Sequence, residues 1–343
     1  MDEKRKKKLM WQLPFLTVLI VGTVLIIRQQ RVMPYQHNEG MVFGTFYKIT
    51  YQCDSDLHAS ISRELQRVDR SLSPFNRESV ITAVNENRPV ELDDMFRDVF
   101  QLSMRISKET DGAFDITVAP LVNAWGFGFK SGLRPTQHVI DSLLQTIGYE
   151  KVSIDRGKVV KADPRIMLDC SAVAKGYGAD VVARLLSHRG VENYMVEIGG
   201  EVVTRGISPK RIPWKIGVTK PTDDTLSVGG GELQTVLNVT DRAMATSGNY
   251  RNFYYKDGKK YAHTIDPKTG YPVQHSILSA TVLATDCATA DAYATSFMVM
   301  GLERARQVLD RHPELMAYFI YANGDGQNAV WFSPSMKSKI DDD

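Results

Sequence analysis

The chain is organised around ATSGNYRNFYYKDGKKYAHTIDPKTGYP at residues 245–272 and SATVLATDCATADAYATS at residues 279–296. The first segment is polar, is interrupted by glycine and proline, and carries His263. The second predicts a helix on which Asp291 and Thr295, four residues apart, project from one face. A carboxylate and a hydroxyl that converge in this way are oxygen ligands suited to Mg²⁺. The alternative is a helix cap followed by an ordinary polar pair on a solvated face.

The composition is that of a globular protein, but its charge is unevenly distributed. Of the 343 residues, 43% are hydrophobic and 24% are charged, which allows one or two domains with a large core. The first 31 residues carry seven Lys or Arg against two acids, whereas the rest carry 35 basic against 38 acidic residues. A mildly acidic body does not support nucleic-acid binding. The three cysteines match no zinc or redox spacing, so we expect small buried hydrophobes.

The N-terminal segment predicts a single membrane anchor. Residues 1–8 contain a basic block and residues 9–27 are uncharged, long enough as a helix to span about 28 Å of a roughly 30 Å hydrocarbon core. More basic residues precede the apolar run than follow it, so the positive-inside rule places the N-terminus in the cytoplasm and the body outside. A cleaved signal peptide is the alternative, but no small-residue cleavage site follows Leu25.

The remaining chain predicts one folded domain of the α+β class. Strand and helix patterns alternate without a regular period, which favours a mixed α/β fold with mixed sheets flanked by helices. A strand is predicted at 42–51 and an amphipathic helix at 57–72. The expected organisation is a cytoplasmic segment, an anchor, a linker, the domain and a disordered tail, at residues 1–8, 9–27, 28–39, 40–333 and 334–343.

The motif LDCSAVAKGYGAD at residues 168–180 predicts a helix whose backbone is closely approached. Gly176 and Gly178 lie early in that helix, where each costs about 1 kcal/mol relative to alanine. Lys175 would lie near the helix N-terminus, a natural place for an anion. The alternative is a helix start with a solvated lysine. Neither this motif nor the Gly199-Gly200 pair fits a P-loop or a dinucleotide-binding fingerprint.

The motif GAFDITVAPLVNAWGFG at residues 112–128 concentrates aromatic side chains in a segment broken by glycine. Phe114, Trp125 and Phe127 fit either the edge of a core or an aromatic wall for a flat ligand. In the second case Asp115 would be the polar group that orients the ligand. Both interpretations stay open on composition alone.

Seven blocks, taken together and in order, resemble the ApbE family, the FAD:protein FMN transferases once called thiamine-biosynthesis lipoproteins. The resemblance covers about residues 40–333. It implies an enzyme that splits FAD with Mg²⁺, passes FMN to a Ser or Thr hydroxyl of an acceptor protein and releases AMP. The blocks are GMVFGT, GAFDITVAPLVNAWGFG, LDCSAVAKGYGAD, EIGGEV, ATSGNYRNF, HTIDPKTGYP and TADAYAT.

The resemblance also implies the roles of particular residues. Asp291, Thr295 and the backbone carbonyl of Ala172 fall on its Mg²⁺ site. His263 falls on the position expected to activate the acceptor hydroxyl. The positions that contact FAD in the family are here Met41, Phe75, Ala113, Phe114, Asp115, Asp169, Lys175 and Ile265.

Two other functions stay open at this stage. One is a Mg²⁺-dependent FAD pyrophosphatase that gives FMN and AMP with water as the acceptor, and the other is a non-catalytic flavin-binding module. By family analogy the acceptor would be a subunit of a membrane electron-transfer complex. The expected location is the bacterial inner membrane, with a single pass and the catalytic domain on the periplasmic side.

Overall fold

The computed structural model describes the chain at residues 14–23, 33–128, 135–221, 232–249, 253–256, 259–325 and 327–341. Residues 14–23 are helical (α1), and the rest of the predicted anchor at 9–27 and the whole segment 1–8 lie outside the described residues. Within these ranges, no helix combines the length and apolar character needed to cross a membrane.

The body is built from strands and helices in roughly equal measure. The strands are β1 (Tyr35–Val42), β2 (Thr45–Gln52), β3 (Val152–Asp155), β4 (Lys158–Lys161), β5 (Tyr194–Ile198), β6 (Glu201–Arg205), β7 (Lys215–Thr219), β8 (Leu233–Asn238), β9 (Ala243–Gly248), β10 (Phe253–Lys256), β11 (Lys259–Ala262), β12 (Ile277–Ala284), β13 (Met316–Ala322) and β14 (Asn328–Phe332). The helices are α2 (His58–Leu72), α3 (Val80–Asn85), α4 (Asp94–Glu109), α5 (Ala119–Ala124), α6 (Gln137–Leu144), α7 (Ser171–His188), α8 (Cys287–Met300) and α9 (Leu302–Arg311).

One eight-stranded sheet, in the order β1-β2-β5-β6-β9-β12-β13-β14, carries the fold. Each of its described pairings is antiparallel, which refines the expectation of mixed sheets. Side chains alternate between its faces: Val282 of β12 packs into the core beneath the helices, whereas its neighbour Leu283 packs on the opposite side. The α+β prediction is confirmed.

Helix α8 is the centre of the larger core. Twelve of its fourteen residues are buried, and it packs against α7, β9 and β12. A helix that is apolar on every side belongs in a protein interior rather than on its surface. The alternative of a solvated polar face for this helix is therefore wrong. A carboxylate in such a helix is costly to bury and must have partners or a function.

The beginning of the domain differs from the prediction. Residues 42–51 are not one strand, because the chain turns at Phe43 and Gly44, where φ is 52° and 72°. Such a pair of positive φ values joins β1 to β2 as a two-residue hairpin, with Val42 opposite Thr45. The predicted linker at 28–39 is also wrong in part, because β1 already begins at Tyr35.

Residues 334–341 are also ordered, so the prediction of a disordered tail at 334–343 is wrong over its described part. Pro334–Lys339 form a 3-10 helix whose Met336 is fully buried. Ile340 then forms a bridge to Leu237 of β8. This segment, together with the β7–β8 hairpin, covers the face of the sheet opposite α7 and α8.

Candidate active site

A cavity of about 320 Å³ opens between the start of α7, the middle of α8 and the loops that precede them. All of the site residues predicted above line it, with the exception of Met41. Met41 lies near the end of β1 and is 68% exposed. The lining residues are Phe75, Ala113, Phe114, Asp115, Ile116, Val118, Val122, Phe127, Gly128, Asp169, Ser171, Ala172, Lys175, Ser247, His263, Thr264, Ile265, Pro267, Asp291, Thr295 and Val299.

Asp291 and Thr295 present their side chains to this cavity from α8, as the spacing predicts. Asp291 is only 3% exposed, and its Oδ2 accepts a hydrogen bond from the backbone N–H of Gly176 at 3.1 Å. Burial raises the pKa of Asp291, and the nearby charge of Lys175 opposes that shift. One turn later, the Thr295 hydroxyl lies 3.1 Å from the Ser247 hydroxyl. The result is a group of oxygen atoms at one end of the cavity.

The glycines of α7 are explained by packing rather than by a ligand. A Cβ on Gly176 would lie 2.4 Å from the backbone oxygen of Cys287, so α7 and α8 cross in direct contact there. A Cβ on Gly178 would lie 2.7 Å from the ring of Phe43, at the tip of the first hairpin. The expectation that something approaches this backbone closely is confirmed, and the groups that do so belong to the protein.

Lys175 is not the solvated lysine of the alternative interpretation. Its Nζ lies 2.6 Å from Oε1 of Glu201, a carboxylate that is 2% exposed. Burial lowers the pKa of Lys175, but the carboxylates of Asp291 and Glu201 outweigh that effect, and the net shift is upward. The lysine is therefore held in its charged form at the edge of the cavity, where it can meet a phosphate oxygen.

Asp115 and Asp169 line the cavity and also fix the local backbone. The Asp115 Oδ1 accepts from the N–H and hydroxyl of Thr117, and its Oδ2 accepts from the N–H of Tyr149. The Asp169 Oδ1 accepts from the N–H of Ser171 at 2.8 Å, at the start of α7. Burial raises the pKa of both carboxyl groups. Contacts of either residue with FAD stay predictions.

His263 faces the cavity from the segment after β11. Its ring packs edge-on against Phe127, with the ring centroids 6.5 Å apart. The following turn is closed by a bridge between Ile265 and Pro272. Trp125 is buried and donates from Nε1 to the Gly270 oxygen at 2.8 Å, so it supports this turn rather than lining the cavity.

Aromatic side chains form part of the cavity wall, as the motif at 112–128 predicts. Phe114 is 3% exposed and belongs to the main core, whereas Phe75 is 71% exposed at the cavity edge. The interpretation of the motif as the edge of a core is confirmed for its buried rings. Phe114 and Phe127 also border the cavity, but a role of these rings in binding a flat ligand stays a prediction.

The oxygen donors that α8 presents to the cavity are compatible with a hard cation. Across the described residues, no group of three or more His, Cys, Asp or Glu side chains is arranged to hold a metal ion. The oxygen atoms of Asp291, Thr295 and Ala172 instead supply one carboxylate, one hydroxyl and one carbonyl. Gly176 N–H, which an ideal α-helix pairs with the Ala172 carbonyl, also donates to Asp291. A carbonyl oxygen has two lone pairs, so the Ala172 carbonyl can accept from Gly176 and still bind a cation. Ala172 is one of the residues that line the cavity.

Comparison with known proteins identifies the family. A sequence model of the ApbE family matches residues 43–319. The FAD:protein FMN transferase of Escherichia coli strain K12 is 35% identical over 314 residues, which cover 88% of this chain and 88% of that relative. The FAD:protein FMN transferase of Vibrio cholerae serotype O1 is 36% identical over 320 residues, with coverages of 90% and 94%.

Solved structures give the same result. The flavin transferase ApbE from Vibrio cholerae superposes with a TM-score of 0.81 at 35% identity, covering 89% of this chain and 99% of that one. The apo form of flavinyl transferase ApbE from Pseudomonas stutzeri gives a TM-score of 0.78 at 29% identity, covering 89% and 96%. The fold and cavity therefore define an enzyme of the flavin transferase class. The chain belongs to the ApbE family, and the family predicted from the sequence is confirmed.

Two polar residues of this region, Ser247 in the cavity lining and Glu201 beside Lys175, were missed by the sequence analysis. Glu201 is buried and pairs with Lys175 across 26 positions of sequence. Burial raises the pKa of Glu201 to about 7, although the Lys175 ammonium lowers it. The available signal was an acidic residue directly after the Gly199-Gly200 turn, followed in the same strand by the apolar pair Val202-Val203.

Proposed function

We propose that this protein transfers FMN from FAD to a Ser or Thr hydroxyl of an acceptor protein and releases AMP. The observation that carries the proposal is that Lys175, His263, Asp291 and Thr295 all line one cavity beside the aromatic wall. The names of the relatives from Escherichia coli and Vibrio cholerae support the same reaction.

The part of the cavity lined by Asp291, Thr295 and Ala172 would hold Mg²⁺. Asp291 would supply the carboxylate, Thr295 the hydroxyl and Ala172 the backbone carbonyl. Mg²⁺ commonly uses one or two protein groups together with substrate phosphates, so this small donor set is sufficient. When bound, the ion would neutralise charge on the pyrophosphate and hold it in place. The burial of Asp291 favours pairing of its carboxylate with a cation over leaving it bare.

The residues of the chain then have separate tasks. Lys175 would bind a phosphate oxygen of FAD, since its ammonium is held charged at the cavity edge. Phe114 and Phe127 would cover the flat isoalloxazine ring. His263 would accept the proton of the acceptor hydroxyl as that oxygen attacks the phosphorus on the riboflavin side. General-base assistance of this kind contributes about 10²- to 10⁴-fold.

The location of the protein is part of the proposal. The basic residues before the apolar run at 9–27 support a single-pass anchor in the bacterial inner membrane with the catalytic domain on the periplasmic side. The acceptor would be a subunit of a membrane electron-transfer complex. Protease added to spheroplasts should digest the body of the protein. Full protection of the body, or a mature N-terminus near residue 30, would contradict the anchored topology.

Product analysis tests the reaction. The full chain is incubated with FAD, Mg²⁺ and a candidate acceptor subunit, and the products are separated and identified by mass. The proposal predicts an acceptor carrying covalent FMN, together with an equal amount of AMP. Free FMN and AMP without a modified acceptor would indicate a pyrophosphatase instead. FAD bound but unchanged would indicate a non-catalytic flavin-binding module.

A further inference from the structure

Glu201 is a buried carboxylate that the proposed reaction does not use. Glu201 is the first residue of β6 and contacts Lys175. It is not one of the residues that line the cavity. Its Oε1 pairs with Lys175, whereas its Oε2 is buried and has no hydrogen-bond partner among the described atoms. Burying a carboxylate oxygen without a partner costs stability. Because this burial is destabilising, we expect Glu201 to have a role at the neighbouring cavity.

The position of Glu201 is fixed by the turn that precedes it. Gly199 and Gly200 have φ of 64° and 104°, and this tight turn places Ile198 opposite Glu201 in the β5–β6 pairing. A Cβ on Gly199 would lie 2.8 Å from Cγ2 of Thr45 and 3.4 Å from Oε2 of Glu201. The Glu201 carboxylate therefore lies close to the backbone of this turn.

The charge of Lys175 interacts with two buried carboxylates, of which only Glu201 forms an ion pair with it. Asp291 accepts a hydrogen bond from Gly176, the residue next to Lys175, and both Asp291 and Glu201 raise the pKa of the lysine. In the structure the ammonium pairs with Glu201 at 2.6 Å. Without that partner, the attraction of two opposite charges in a buried setting would draw the ammonium to Asp291. The carboxylate would then be neutralised by the lysine.

We propose that Glu201 is a positioning residue that holds the Lys175 ammonium away from Asp291. The carboxylate of Asp291 thereby stays available to a divalent cation, and the ammonium stays available to a phosphate. The inference rests on the proposed function, because it takes Asp291 as the cation ligand. It adds a residue of the EIGGEV motif to the site, one that acts only through Lys175.

The test measures cation binding without turnover, with Mn²⁺ as the probe. Binding is followed by the loss of the electron paramagnetic resonance signal of free Mn²⁺ in four forms of the full chain: wild type, Glu201→Gln, Lys175→Met and the double variant. Glu201→Gln should weaken Mn²⁺ binding by about tenfold or more, because the released ammonium competes for Asp291. Lys175→Met should bind Mn²⁺ at least as tightly as wild type. The double variant should match Lys175→Met within about threefold.

Three results would contradict the inference. Wild-type affinity in Glu201→Gln would show that the glutamate does not protect Asp291. An equal loss of affinity with and without Lys175 would show that Glu201 acts by its own charge and not through the lysine. An Asp291→Ala variant that binds Mn²⁺ with wild-type affinity would overturn the proposed metal site itself, and the inference with it.

A second variant covers the case in which Glu201→Gln does not fold. Glu201→Asp keeps the charge on a side chain one methylene shorter, so it reaches Lys175 less closely. It should give a smaller loss of Mn²⁺ affinity, and that loss should again disappear in the Lys175→Met background. Wild-type affinity in Glu201→Asp, at a wild-type melting temperature, would count against the inference.

Discussion

Helices α7 and α8 each send one buried aspartate to the other helix, and the two aspartates differ in what their oxygen atoms do. Asp180 of α7 accepts from the N–H groups of Cys287 and Ala288, one to each oxygen, at 2.8 and 2.9 Å. Asp291 of α8 accepts from the N–H of Gly176 through Oδ2. They are 6% and 3% exposed, so burial does not distinguish them.

The difference lies in the surroundings of each carboxylate. Asp180 completes the N-terminus of α8, where Asp286 also accepts from Thr289 N–H, so both of its oxygens are used by the backbone. Asp291 lines the cavity. We call these the closed side and the open side of the helix pair. The comparison shows why two equally buried carboxylates differ in function. The oxygens of one are both occupied by backbone N–H groups, whereas the other reaches a cavity in which it can bind a ligand.

The largest effect is expected on the open side, at His263. His263→Ala should reduce FMN transfer by about 10²- to 10⁴-fold while FAD affinity stays near wild type, because a base acts only as the hydroxyl attacks. FAD affinity, melting temperature and the pH–rate profile should be measured together. A general base gives such a profile an ascending limb, and the variant should lose that limb. A parallel loss of affinity and rate would instead assign His263 to the scaffold.

The next largest effect is expected on stability, at the point where α7 and α8 cross in contact at Gly176. Gly176→Ala would place a Cβ 2.4 Å from the Cys287 oxygen, which is backbone and cannot move without shifting α8. Overpacking of this kind costs about 1–3 kcal/mol. Denaturant unfolding should show that loss. Gly324→Ala is the matched control, since its Cβ would meet nothing within 4 Å, and it should unfold like wild type.

A smaller effect is expected at Thr295, again on the open side. Thr295→Ala should raise the Mg²⁺ concentration needed for half-maximal transfer by roughly tenfold, because a neutral hydroxyl contributes less than a carboxylate to binding a dication. Thr289→Ala on the same helix is the control, since its buried hydroxyl has no described partner and lies outside the cavity lining. Equal Mg²⁺ requirements in both variants would remove Thr295 from the cation site.

The smallest effect is a pH dependence of stability on the closed side. Burial raises the pKa of Asp180 from 3.8 to about 7, although the N–H groups of Cys287 and Ala288 lower it. Because the pKa of Asp180 is higher in the folded than in the unfolded state, protonation of Asp180 stabilises the folded state. That stabilisation is complete below the unfolded-state pKa and is lost as the pH rises towards 7. The advantage of wild type over Asp180→Asn should therefore shrink by on the order of 1 kcal/mol per pH unit across that window. Parallel unfolding free energies of the two proteins between about pH 5 and pH 8 would contradict this pKa.

Elements with a strong local signal could be predicted from the sequence. The helix predicted at 57–72 is found as α2, His58–Leu72, because the helical periodicity of its apolar residues is unambiguous. Strand β9, with the sequence AMATSG, was not predicted, because its small residues have little β propensity. It is held as a strand by pairing with β12. The first hairpin was missed because Phe43, an aromatic residue typical of strands, occupies a turn position.

The sequence named most of the polar residues that line the cavity, but it could not reveal the contacts between them. Family resemblance named Lys175 and Asp291 as site residues, and both line the same cavity, although their roles stay predictions. Neither motif spacing nor family resemblance could reveal Glu201, because its role depends on a contact between α7 and β6 that only the folded chain creates. The sequence also could not separate a glycine that accommodates a ligand from one that accommodates α8, as at Gly176.

The most direct test of the account places Asp291→Asn beside Asp180→Asn and measures both melting temperature and FMN transfer per folded molecule. Asp291→Asn should melt near the wild-type temperature and lose transfer by about 10²- to 10³-fold or more, since it removes the charged group of the open side. Asp180→Asn should melt lower, by roughly 2–4 °C for each kcal/mol lost, and should keep wild-type transfer per folded molecule. Wild-type transfer by Asp291→Asn, or lost transfer with an unchanged melting temperature in Asp180→Asn, would contradict the assignment of chemistry to one side of the helix pair and structure to the other.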